Sequence, residues 1–209
     1  MALVKYNNNS LSAITAASSL PAGAMTLIKE QTASSSSTIS FVHGSSDVVL
    51  DSTYPIYVFK LINIHPATND VAFKFNLSAD TGSNYNVTKT TTNFGAYQAE
   101  NDSEAAIGYD TSRDLAQSTA AQGFFSSGDL GNGNDESTSG QFTLFNPSST
   151  TFVKHFMSVV NYYNQGNYSI NTFVAGYGNT TSAIDAVQFT MSSGNIDAGT
   201  IKLYGIKDS

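Results

Sequence analysis

Short runs of β-branched and aromatic residues, separated by clusters of Gly, Asn, Asp and Ser, follow one another through most of this chain. Such runs are typical of β-strands that end in tight turns. In Phe73-Lys74-Phe75-Asn76-Leu77 apolar and polar side chains alternate, which gives a strand one buried face and one wetter face. The pattern predicts strands at residues 25–30, 38–42, 54–64, 71–77, 93–98, 140–145, 152–162, 168–175, 183–191 and 200–206.

Helical patterns are almost absent between these strands. The one candidate is the segment 112–121, which follows an Asp110-Thr111-Ser112 capping signal. Because strand follows strand without intervening helices, doubly wound folds with a parallel sheet are excluded. The sequence predicts an all-β fold, an antiparallel two-sheet sandwich of jelly-roll type, in which residues 99–136 form a long irregular excursion.

The domain organisation follows from the point at which the strand pattern begins. The first 23 residues are rich in Asn, Ser and Ala, and their isolated apolar residues are too sparse to build a core. We predict that residues 1–23 form an extended N-terminal arm and that residues 24–209 form one domain, since β-sandwiches of this length are common. The arm residues expected to dock on a neighbouring subunit are Leu3, Leu11, Ile14 and Leu20.

Composition narrows the classes of function. The 9 Lys and Arg against 16 Asp and Glu give a net charge of -7, which disfavours a nucleic acid as partner because phosphate backbones are repelled. The chain has no cysteine, so disulfides, thiolate zinc sites and cysteine nucleophiles are excluded. It shows neither a signal-peptide pattern nor an apolar run of membrane-spanning length, and we expect no membrane insertion.

Residues with catalytic potential are few and dispersed. His43, His65 and His155 lie on or beside different predicted strands without metalloprotease spacing, and the chain has neither a GxSxG elbow nor a P-loop. We therefore predict no catalytic residues and no cofactor. Two acidic clusters leave open a carboxylate pair of the kind that glycosidases use. They are Glu100, Asp102 and Glu104 in one loop, and Asp129, Asp135 and Glu136 in another.

The second acidic cluster also resembles a calcium loop, because several oxygen donors are separated by glycines. It lacks the bidentate Glu at the twelfth position of an EF-hand and follows no helix. A solvated loop remains the alternative. The candidate calcium ligands are Asp129, Asn132, Asn134, Asp135 and Glu136.

Tyrosine is abundant beside short polar residues. The chain has 11 Tyr and 13 Phe but no Trp, and several of its tyrosines lie among Asn and Gly. Amphipathic rings next to short hydrogen-bonding side chains suit the binding of sugars or proteins, although the same rings can simply cover the edges of a core. The candidate ligand-facing residues are Tyr97, Tyr162, Tyr163, Tyr168 and Tyr177.

Five segments carry a resemblance to known proteins. They read ALVKYNNNSLSAIT, LPAGAMTLIKEQTAS, YVFKLINIHPATNDVAFKFNLSADTGSNYNVTKT, LFNPSSTTFVKHF and AIDAVQFTMSSGNIDAGTIKLYGI. Together they resemble small virion proteins of tailed bacteriophages, especially marine and cyanophage-like ones. The resemblance implies a structural β-sandwich, of the kind that serves as capsid decoration, fibre or receptor-binding tip, and it supplies no catalytic residues.

We therefore expect a non-enzymatic virion component, made in the host cytoplasm. It would be an exposed capsid decoration or cement protein, or a head- or tail-fibre protein, that assembles through its N-terminal arm. Its expected partners are copies of itself, with a trimer as the first expectation, and other virion proteins. Two alternatives stay open: a receptor- or polysaccharide-binding tip of a tail fibre, and a hydrolase of cell-surface polysaccharides.

Overall fold

The computed structural model describes residues 25–126 and 129–207. The arm residues Leu3, Leu11, Ile14 and Leu20 lie outside the described residues. Within them the chain forms twelve strands and no helix. The strands are β1 (Met25–Thr32), β2 (Thr38–Val42), β3 (Ile56–Pro66), β4 (Phe73–Ser78), β5 (Lys89–Ala99), β6 (Ala105–Tyr109), β7 (Gln122–Gly123), β8 (Thr138–Phe145), β9 (Lys154–Tyr163), β10 (Tyr168–Gly178), β11 (Ala186–Met191) and β12 (Ile196–Ile206).

Eight of these strands wind as a jelly roll. With β5, β6, β9 and β10 set aside, the two sheets have the orders β1-β12-β3-β8 and β2-β11-β4-β7. The antiparallel pairs are nested: β1 pairs with β12, β2 with β11, β3 with β8 and β4 with β7. Such nested pairing across two packed sheets is the winding of a jelly roll. The predicted all-β, two-sheet antiparallel sandwich is confirmed.

The other four strands widen one sheet. They continue it beyond β8 in the order β9-β10-β5-β6, so this sheet has eight strands and the facing sheet has four. We call β9, β10, β5 and β6 the extension. Strands β5 and β10 pair along their whole length, from Lys89 opposite Gly178 to Ala99 opposite Tyr168.

The irregular segment after β6 covers the inner side of the extension. Its backbone joins β5, because Leu115 N donates to Thr91 Oγ1 at 2.8 Å and Phe125 O accepts from Asn93 Nδ2 at 2.9 Å. The Phe125 ring stacks on Tyr162 with ring centroids 4.1 Å apart. The long excursion therefore provides the second layer that the four-stranded sheet is too narrow to supply.

Phenylalanine rings fill the space between the sheets. Phe75, on β4, contacts rings from three directions: its centroid lies 4.4 Å from Phe142, 5.1 Å from Phe124 and 5.2 Å from Phe156. All four side chains are buried. Stacked and tilted ring pairs at these distances add to the stabilisation that apolar burial provides.

Two lysines, Lys89 and Lys154, are buried at one end of the sandwich. Both lie opposite Gly178 in the strand register, one on each side of β10. Lys89 Nζ donates to Asn76 Oδ1 at 2.5 Å and to Val87 O at 2.8 Å. Lys154 Nζ donates to Phe152 O at 2.7 Å. Burial lowers the pKa of Lys89 to about 8 and shifts that of Lys154 in the same direction, because desolvation disfavours a charged ammonium.

The ten predicted strands are all present, with ends that differ by a few residues, but the predicted helix is wrong. Asp110 Oδ1 does accept from Ser112 N at 2.9 Å, as a cap would. The following residues then bond to β5 instead of to each other, since Gln117 N donates to Thr90 Oγ1 at 3.1 Å. Strands β6 and β7 were not predicted.

Candidate functional site

Three of the five predicted tyrosines meet at one end of the extension. Tyr97 on β5 and Tyr168 on β10 pack edge to face, with ring centroids 5.7 Å apart. Tyr163, the last residue of β9, pairs with Ser169 in the register of β9 with β10, so it lies next to the start of β10. The hairpins of the extension therefore bring these rings to one edge, which we call the tyrosine rim.

Carboxylates of the first acidic loop hold the rim hydroxyls. Tyr163 Oη donates to Glu100 Oε2 at 2.8 Å, and Tyr168 Oη donates to Glu104 Oε1 at 2.7 Å. These hydrogen bonds raise the pKa of Tyr163 to about 12 and raise that of Tyr168 as well, because a nearby carboxylate disfavours the phenolate. Both hydroxyls therefore remain protonated donors in neutral solution.

A cleft of about 390 Å³ opens beside the rim. A backbone hydrogen bond joins two residues that line it, with Glu100 N donating to Asn167 O at 2.9 Å. Amide, hydroxyl and carboxylate groups beside an aromatic ring are the groups that recognise sugar hydroxyls and sugar faces. The cleft is lined by Ala99, Glu100, Asn101, Ser103, Gly166, Asn167 and Tyr168.

The other two tyrosines lie elsewhere. Tyr162 points inward from β9 and is only 1% exposed, so its prediction as a ligand-facing residue is wrong. Inward and outward positions alternate along a strand, and Tyr163 rather than Tyr162 has the outward one. Tyr177 lies at the opposite end of β10 from the rim, 6.2 Å from His155 between ring centroids. It lines a separate shallow apolar groove together with Met157 and Phe145.

Three of the five candidate calcium ligands, Asp129, Asn132 and Glu136, have partners within the chain. Asp129 forms an ion pair with Arg113, and Glu136 Oε2 accepts from Gly133 N at 2.5 Å. Asn132 Nδ2 donates to Ala67 O at 3.4 Å. In residues 25–126 and 129–207, no three His, Asp or Glu side chains are grouped so as to hold a metal ion.

The histidines serve separate parts of the fold. His43 Nδ1 accepts from Leu50 N at 3.1 Å, and His65 Nε2 lies 3.1 Å from Gly133 O. His155 lies on the outward side of β9, beside Tyr177. The structure does not bring the three imidazoles together, and each has a local structural contact.

The feature that sequence reasoning missed is the outward face of the extension. Several large apolar side chains are exposed there: Met157 is 55% exposed, Phe94 40% and Phe173 37%. The rings of Phe94 and Phe173 stack 5.1 Å apart and almost parallel. On β9 the outward positions that follow His155 are Met157 and Val159. These alternate apolar residues on the outward side are a signal that could have revealed this face.

Comparison with known proteins gives no further assignment. No protein-family model, curated protein sequence or solved structure matches this chain. The described residues form no apolar helix of membrane-spanning length.

Proposed function

We propose that this protein is a non-enzymatic structural component of a tailed-phage virion, made in the host cytoplasm and exposed on the particle as a decoration, cement or fibre-type protein. The jelly-roll winding supports this assignment, because jelly rolls recur in capsid and lectin domains. Fold alone does not define function. The resemblance of the sequence segments to small virion proteins supplies the biological context.

The observation that carries the proposal is the bare apolar face of the extension. Large apolar side chains that are exposed side by side on one face mark interaction sites. The stacked Phe94 and Phe173 rings lie at its centre, with Val159 beside them in the register. A protein that works by packing against other subunits needs a surface of this kind.

The N-terminal arm is the second part of the proposal. Leu3, Leu11, Ile14 and Leu20 would insert into a neighbouring subunit or another virion protein, with the arm backbone pairing to an open sheet edge. Such an edge is available on β6, which among the described residues pairs with β5 alone. Deletion of residues 1–23 should abolish incorporation into particles and leave the domain folded.

The decisive experiment locates the protein on purified particles. Phage particles are imaged by electron microscopy with the protein labelled, and the same particles are analysed by mass spectrometry. We expect regular labelling at one place on the virion. Absence of the protein from purified, infectious particles overturns the proposal.

A second candidate function is recognition of a cell-surface glycan, and the cleft at the tyrosine rim favours it. Its test is binding to a glycan array or to host cells by the wild type and by Tyr168→Phe, which removes the hydroxyl that Glu104 orients. Tyr109→Phe is the matched control, because Tyr109 also donates to a carboxylate, that of Asp114, at 2.6 Å but does not line the cleft. Binding reduced by the first change and not by the second supports a glycan site, and no binding by the wild type removes this candidate.

A further inference from the structure

One row of outward residues crosses the whole eight-stranded sheet, and halfway across it changes from charged and polar side chains to apolar and aromatic ones. On the jelly-roll half, Lys202 Nζ donates to Glu30 Oε2 at 2.8 Å and Lys60 Nζ donates to Gln141 Oε1 at 2.6 Å. On the extension half the row is apolar and aromatic. In order of register, from β1 to β6, it reads Glu30, Lys202, Lys60, Gln141, Val159, Phe173, Phe94 and Tyr109.

The outward positions of the extension contain no Asp, Glu, Lys or Arg. They are 155, 157, 159, 161 and 163 on β9, 169, 171, 173, 175 and 177 on β10, 90, 92, 94, 96 and 98 on β5, and 105, 107 and 109 on β6. We call this surface the extension face. A chain with a net charge of -7 repels its own copies over most approaches. At the centre of the extension face, around Phe94 and Phe173, two copies meet without opposing carboxylates, and the carboxylates of Glu100 and Asp114 lie at the margin of the face on Tyr163 and Tyr109.

The size of the extension face fits a protein interface. Strands β5 and β10 have eleven residues each, β9 has ten and β6 has five. With a rise of about 3.4 Å per residue and a strand spacing of about 4.8 Å, they cover roughly 600 Å² in projection. A standard protein interface buries about 800 Å² on each partner. The extension face thus has about the area that a stable dimer requires.

The inner side of the extension is already occupied, so of its two faces the outer one remains for a partner. Segment 110–126 covers the inner side. The Phe125 ring stacks on Tyr162, and the hydroxyls of Ser126 and Thr172 share a hydrogen bond, with their oxygens 3.0 Å apart. Strand β6 is exposed at every residue, and Ile107 on it is 76% exposed. A strand with no buried side chain gains little from folding within one chain and gains burial from an intermolecular contact.

We propose that the extension face packs against the extension face of a second copy of this chain, related to the first by a two-fold axis. A symmetric contact of this kind joins apolar to apolar and leaves Lys60 and Lys202 outside. A contact centred on the middle of the sheet would instead bury these lysines against the phenylalanines, which costs desolvation energy. The two-fold pairing replaces the trimer expectation, because a three-fold assembly requires contact between two different surfaces of each copy.

The stacked Phe94 and Phe173 rings are the anchor of this interface. They occupy the centre of the extension face, where aromatic residues contribute most to binding because surrounding contacts exclude water. Met157 extends the contact along the next row, opposite Ala175 in the register. This inference rests on the proposed function, in which the protein acts by packing against other subunits.

The test measures the molar mass of the full-length protein by sedimentation velocity or light scattering across a range of concentrations. The wild type is expected to be a dimer at micromolar concentration. Phe173→Glu and Met157→Glu are each expected to weaken association by at least about 30-fold, as loss of a central interface contact does. Leu27→Glu is the matched control: Leu27 is 49% exposed on β1 of the same sheet, outside the extension face, and its change should leave the dimer intact.

Circular dichroism and thermal unfolding establish that each variant is folded, and two independent glutamate variants guard against local misfolding. A monomeric or trimeric wild type overturns the inference, as does a dimer that survives both glutamate variants. Loss of the dimer on deletion of residues 1–24 also overturns it, since the arm would then be the occupant. Labelling of virions by a monomeric protein would refute this interface alone, whereas a dimer absent from virions would refute the proposed function alone.

Discussion

Raising the pH from 8 to 10 should stabilise this protein, and Lys89 is the reason. Its ammonium is buried and is bonded to Asn76 Oδ1 and Val87 O, neither of which carries a charge. Burial lowers its pKa to about 8 in the folded chain, against an ordinary value of 10.5. Between pH 8 and pH 10.5 the unfolded chain holds a proton on this lysine that the folded chain has released.

The sign and size of the effect follow from proton linkage. The free energy of unfolding rises with pH wherever the unfolded state binds more protons than the folded state. Integrated between pH 8 and pH 10 for pKa values of about 8 and 10.5, the gain is about 2 kcal/mol. The stabilisation is complete above pH 10.5 and is lost as the pH falls towards 8. Tyr57 and Tyr163 act oppositely, because the pKa of each is raised from 10.0 to about 12 in the folded chain. Their effect begins near pH 10, where the unfolded chain starts to lose these protons.

The assay is urea unfolding at pH 8, 9 and 10, followed by circular dichroism, for the wild type and for Lys89→Met. The wild type should gain stability over this range, and most of the gain should disappear in the variant. A smaller rise should persist, because the pKa of Lys154 is lowered in the same way. Lys74→Met, on the outer side of β4, is the control and should retain the full rise. A wild type whose stability is flat or falls between pH 8 and pH 10 would refute the reasoning.

Three further changes test the packing. Phe75→Ala should destabilise the protein by about 3–5 kcal/mol in chemical unfolding, because it removes a ring that contacts three others in the core; a loss below 1 kcal/mol would contradict this packing. Phe125→Ala should leave the strands intact and make segment 110–126 cleavable by limited proteolysis, and unchanged resistance would count against the covering role of the segment. Gly140→Ala should cost about 1–3 kcal/mol of unfolding free energy, since a Cβ at this position would lie 2.6 Å from Val160 Cα; a thermal midpoint equal to that of the wild type would show that the strands separate freely there.

The strands could be predicted from the sequence because their signal is local. Alternation in Phe73, Phe75 and Leu77 gave the correct inward face of β4, and all three side chains are buried. β6 could not be found in this way, because its five residues are exposed on both sides and carry no alternation. β7 has two residues and exists only because Phe75 and Lys74 of β4 are there to pair with it.

The helix predicted within the excursion was wrong for a related reason. Its residues 112–121 have helix-compatible local preferences and a capping aspartate, but their hydrogen-bond partners are the hydroxyls of Thr90 and Thr91 on β5. Tertiary contacts override local propensity of this size. In the same way, neighbouring tyrosines 162 and 163 look alike in sequence, and only the strand register decides that one faces the core and the other the rim.

The nested winding also determines when the protein can fold. Met25 pairs with Ile206, so the first described strand finds its partner only near the far end of the chain. During synthesis β1 and β2 must wait, unpaired, until β11 and β12 have left the ribosome. Closing such distant pairs is slow, and the waiting edges are open to other chains. A chaperone that shields nascent β-strands would therefore raise the yield of this protein more than that of a helical protein of equal length.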